Sequence, residues 1–167
     1  MAGSVTNPSE AFPPAVGIRI DYPDGWAPLA GAGVHLAVIR EALPGEFRAN
    51  VVVTVKRVEE SFSLGAAVQQ LRAKLAGLPE YRQQSAEDRV VLGTGGFTAE
   101  GEYVHPQAGA LAILTSMAVV TRPNAVDLVE VSGTCTAAQA DSLLAEVRSI
   151  IDSARTVKTA LVAVPGS

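Results

Sequence analysis

The chain has 167 residues, 48% hydrophobic and 18% charged, with a net charge of −4. That length and apolar content suit one domain that folds without disulfides or metals, and they exclude a disordered chain. The negative balance, with no run of Lys or Arg, excludes the positive field that a nucleic-acid binder needs against phosphates.

Residues 1–15 hold Pro8, Pro13 and Pro14 among small polar neighbours and read as a flexible arm. From Val16 the pattern alternates. Val16, Ile18, Ile20 and Tyr22 share one face and Gly17, Arg19 and Asp21 the other, which predicts a half-buried strand. Pro23-Asp24-Gly25 ends it with turn chemistry, and Trp26 follows. Val34, Leu36 and Val38 predict a second strand. Phe47 to Val58 predicts a third, with Phe47, Ala49, Val51, Val53 and Val55 dry and Arg48, Asn50, Thr54 and Lys56 wet. One wet and one dry face favour an antiparallel sheet.

The period then changes. Leu64, Val68, Leu71, Leu75 and Leu78 recur at helical spacing, with Ser63 placed to cap the start and Gly77 the end. Four strands follow: Arg89–Leu92, Phe97–Tyr103, Leu111–Thr121 and Val126–Ser132. Their connections are short enough for a meander. Thr136-Ala-Ala-Gln139 is a capping-box pattern, and Leu143, Leu144, Val147, Ile150 and Ile151 predict a second amphipathic helix ending near Ala154. Beyond it, residues 156–167 read as a tail in which Leu161 to Val164 could add a short strand. The expected fold is α+β: one domain over 16–155, an antiparallel sheet of about six to seven strands with helices packed on it.

Tyr22-Pro-Asp-Gly-Trp26, the Phe47-Arg-Ala-Asn-Val-Val-Val-Thr-Val55 strand, and a meander containing Gly96 and Tyr103 between two helices carry a resemblance. In this order they resemble the actinobacterial LpqN/LpqT-like proteins of the Mog1/PsbP-like fold. The resemblance implies an α/β/α sandwich. Proteins of that fold include a binder of the nuclear GTPase Ran, an extrinsic photosystem subunit and mycobacterial envelope lipoproteins. No shared catalytic residues come with it.

No motif carries recognisable chemistry. Gly93-Thr-Gly-Gly96 lacks the Lys-Ser/Thr of a phosphate loop and the third Gly of a dinucleotide fingerprint, so it reads as a hairpin turn. Cys135 with His35 or His105 is the one thiol–imidazole pairing available. A helix N-terminus would lower its pKa, but a small half-buried residue in a strand-to-helix turn is the commoner case. Asp21 and Asp24, or Glu100 and Glu102, have no His at ligand spacing, so no metal site and no cofactor are expected. Glu59-Glu60 and Glu87-Asp88 read as solubilising charges.

The sequence therefore points to a non-enzymatic binding module for a protein partner or an apolar ligand. Tyr22 and Trp26 form the candidate aromatic corner, although a buried Trp26 plugging the sheet is the commoner arrangement. Arg48, Asn50 and Lys56 form the candidate polar sheet face. A lipid- or amphiphile-binding protein related to the envelope lipoproteins is the alternative, and a small enzyme using Cys135 a distant third. Homo-oligomers stay open. The N-terminus shows no basic segment, no apolar signal core and no Cys for a lipid, and no apolar run approaches the ~20 residues that span a bilayer. With one cysteine, the sequence reads as that of a cytoplasmic protein.

Overall fold

A computed structural model describes residues 2–158. The alternating segments are strands: β1 (Gly17–Arg19), β2 (Trp26–Pro28), β3 (Leu36–Arg40), β4 (Asn50–Val58), β5 (Arg82–Val91), β6 (Thr94–His105), β7 (Gly109–Arg122), β8 (Ala125–Thr136) and β9 (Arg155–Val157). The two segments of helical period are α1 (Leu64–Ala76) and α2 (Ala140–Asp152). Seven strands form one antiparallel sheet in the order β2-β3-β4-β8-β7-β6-β5, and β1 pairs with β9 in a separate ribbon.

The sheet is covered on both faces because its central strands are apolar on both. Phe97, Ala99, Met117 and Leu128 point to one side, where Ala67, Leu71 and Leu75 of α1 bury them. Val51, Val53, Leu114, Val129 and Val131 point to the other, under Leu143, Val147, Ile150 and Ile151 of α2. The result is the expected α/β/α sandwich. α1 starts where Ser63 Oγ accepts from the Ala66 N–H at 3.1 Å. The Thr136–Gln139 capping box forms reciprocally, at 3.1 and 3.0 Å, and leads into α2 through a single 3-10 turn. α2 lies directly on β8 at Gly133. A Cβ there would collide with Val147 Cγ1 and stand 3.1 Å from Ile151 Cδ1.

The meander turns as its residues demand. Leu92 and Gly93, at φ 54° and 74°, make a two-residue hairpin loop, and Thr94, Gly95 and Gly96 already belong to β6. The glycine run is thus a turn and a strand start, with no helix N-terminus for a phosphate.

Three features depart from the sequence reading. The first strand is only three residues long and joins β9, not the sheet; Gly17 pairs with Val157 and Arg19 with Arg155. Its alternation was real, since Val16 and Ile20 are buried, but alternation does not name a partner. Second, β2 is a three-residue edge strand, too short to show a period. Third, β5 extends back to Arg82, because an edge strand exposed on both faces carries no apolar alternation. The suggested strand at Leu161–Val164 lies outside the described residues.

Candidate functional site

The end of the N-terminal arm is held by a buried charge cluster. The Asp127 carboxylate, its side chain 1% exposed, accepts from Arg57 Nε at 2.8 Å, Arg122 Nη2 at 2.6 Å and the Val16 N–H at 3.0 Å. Arg57 also donates to the Pro13 carbonyl, and Arg57 and Arg122 both donate to the Pro14 carbonyl. Two guanidinium groups and a backbone donor compensate a carboxylate that could not otherwise leave water.

Beside this clamp, between the β1–β9 ribbon and the end of β7, opens a cavity of about 730 Å³ lined by Val16, Val120, Thr121, Arg122, Thr156, Val157 and Lys158. Both charged residues in its lining are cations. On the opposite face of the sheet a smaller cleft of about 210 Å³ runs between α1 and β4, with Thr54, Lys56, Gln70, Lys74 and Glu130 among its lining residues.

The residues singled out in the sequence do not converge. Trp26 is 5% exposed, and its Nε1 donates to Glu146 Oε2 of α2 at 3.0 Å. Arg40 Nη1 donates to the same oxygen at 2.6 Å. Trp26 therefore plugs the sheet end and offers a partner nothing, which corrects the reading of it as a surface anchor. Tyr22, 43% exposed, remains at the surface without it. Arg48 sits in the loop before β4, and Asn50 Nδ2 donates back to its carbonyl at 3.2 Å. Lys56 lies on the same strand face as Asn50 but six residues along, about 20 Å at strand rise. Of the three polar-face residues, Lys56 lines the cleft beside α1.

Cys135 is fully buried among apolar residues under α2. Burial pushes its thiol up from the ordinary value of 9.0, opposite to the helix-terminus effect expected from sequence. His105 Nδ1 accepts from the Gln107 and Ala108 N–H groups of its own turn, and His35 is exposed before β3. Among the described residues no group of His, Cys, Asp or Glu is placed to hold a metal ion, and no helix is long and apolar enough to cross a membrane.

Sequence reasoning missed the seam cavity because its lining comes from three distant segments. The clamp did leave a signal. In Val126-Asp-Leu-Val-Glu-Val131, Asp127 falls in phase with Val129 and Val131, on the dry face, whereas Glu130 falls on the other. A lone acid in a buried phase requires cationic partners.

A seven-stranded antiparallel sheet with one helix on each face defines the Mog1/PsbP-like fold. The chain resembles LpqN, involved in cell envelope biogenesis of Mycobacterium tuberculosis, with a TM-score of 0.72 and 14% identity over 84% of this chain and 83% of that one. It resembles cyanobacterial PsbP (CyanoP) from Synechocystis sp. PCC 6803, at a TM-score of 0.54 and 17% identity over 93% and 98%. The Saccharomyces cerevisiae Ran-binding protein Mog1p gives 0.51 and 15% over 85% and 91%. At these identities the likenesses establish the fold alone. No curated protein sequence matches the chain.

Residues 4–157 match the family described as "Probable lipoprotein LpqN", and the chain belongs to that family. Membership overturns the expectation of a cytoplasmic protein. That expectation rested on signals not found near Met1, and a positive match to a family of probable lipoproteins across nearly the whole chain outweighs it.

Proposed function

We infer that this chain is a non-enzymatic, amphiphile-binding protein of the cell envelope. The observation that carries this reading is the seam cavity. Its volume, about 730 Å³, falls in the range of small-molecule sites. Val16, Val120 and Val157 supply apolar wall, on which an alkyl chain gains about 25 cal/mol per Å² removed from water. Arg122 and Lys158 supply positive charge at the rim. Asp127 already balances Arg122, whereas Lys158 makes no ion pair among the described residues. An anionic head beside a short apolar body complements that lining.

The family's description and the envelope role of the mycobacterial LpqN support the setting. The enclosed thiol of Cys135 supports a role without covalent chemistry. A protein-recognition role has less behind it, since half of the aromatic corner is buried. Calorimetric titration with dodecanoate, kept below its aggregation concentration, tests the proposal. Saturable binding is expected, about tenfold weaker in Lys158→Gln through loss of one charge-assisted contact. No saturation, or equal binding by both proteins, removes the cavity as the site.

A further inference from the structure

We propose that the cleft between α1 and β4 is a second, independent site, for a small organic monoanion with a compact apolar body. Its floor is built by register. Thr54 stands opposite Glu130 and Lys56 opposite Leu128 across β4 and β8, and Glu130 stands opposite Met117 across β8 and β7. Leu128 and Met117, with Ala67 and Leu71 from α1, thus form a buried apolar base, while Lys56, Thr54 and Glu130 rise around it. The helix leaves this space open because of its own sequence. Its buried stripe is narrow and begins at the small Ala67, and Gln70 and Lys74 beside it place long polar side chains as a rim above a floor that is itself almost fully buried.

The charge of the cleft decides what fits. Lys74 Nζ bonds Glu130 Oε1 at 3.1 Å, which neutralises both. Lys56 lines the same opening and makes no ion pair among the described residues. In a chain of net charge −4 the cleft therefore carries an uncompensated cation over an apolar floor. Gln70 and Thr54 add neutral donors beside it. About 210 Å³ is the share of roughly seven waters, so the occupant is small: a carboxylate on a single ring or a short chain. The seam cavity is lined from the α2 face of β7, by Val120 and Arg122, whereas this cleft opens on the α1 face.

Benzoate tests the assignment, with benzyl alcohol as its uncharged counterpart. In amide proton–nitrogen spectra at low ionic strength, benzoate should give saturable shifts at Thr54, Lys56, Leu71 and Glu130. Lys56→Gln, an exposed substitution that leaves the core untouched, should weaken binding about tenfold, the worth of one charge-assisted hydrogen bond. Equal binding of benzyl alcohol, or an unchanged affinity in Lys56→Gln, overturns the anion assignment. Shifts confined to Val120 and Val157, or unsaturable shifts scattered over the surface, overturn the site itself. Neither result depends on the dodecanoate titration, so the two proposals fail separately.

Discussion

Asp127 is the one charged side chain among the described residues that the core fully encloses. Its two arginines remain partly solvated, at 41% and 25% side-chain exposure, so the cluster is a bridge from core to surface. Removing the carboxylate leaves Arg57 and Arg122 facing each other, and Asp127→Ala should cost about 3 kcal/mol in urea unfolding. It should also free Pro13 and Pro14, read as faster proteolysis of the arm. Cys135 gives a prediction in pH. Burial raises its thiol above the ordinary 9.0, so the folded state prefers the protonated form more than the unfolded state does. That contribution is fully present below pH 9.0 and is lost as pH rises toward the folded value. Tyr81, raised from 10.0 by burial, acts in the same direction at higher pH. Thermal stability should therefore hold flat from neutral pH and then fall from about pH 9. In Cys135→Ala the first part of the fall should disappear; an identical profile would remove the thiol as its cause.

The elements show which signals sequence carries. α1 and α2 were legible because each combines a period of 3.6 with a local cap, Ser63 in one case and Thr136 with Gln139 in the other. The central strands β4, β6, β7 and β8 were legible because buried positions alternate with wetter ones in β4 and β6 and run together in β7 and β8. β2 and β9 were not, and β5 was legible only at its end from Arg89, since edge and ribbon strands are short or wet on both sides. What no periodicity could reveal is how closely two elements approach. α2 lies on β8 only because Gly133 has no side chain under Val147. Gly133→Val should push the helix off the strand and cost several kcal/mol, of order 3, in equilibrium unfolding. A variant as stable as the parent would mean that α2 can shift outward without loss.

At the scale of the whole molecule, the fold was readable and the candidate sites mostly were not. Class, sheet and sandwich follow from patterns that repeat every two or four residues. The seam cavity and the clamp depend on residues more than a hundred positions apart, such as Val16 and Asp127, and pairing over that range leaves no local trace. Trp26 is the same case: its partner Glu146 lies 120 residues on. Lys56 was visible as one of several wet residues, and only the placement of α1 sets it apart. Because Gly17 faces Val157 and Arg19 faces Arg155, the segments before residue 17 and after residue 157 leave from the same end of the β1–β9 ribbon. Tension applied between those two points would load its pairs one after another, as a zipper is opened, not all together in shear. The β1–β9 strap would yield at low force while the sheet stayed whole, and the seam cavity, walled partly by that strap, would open before the protein unfolded.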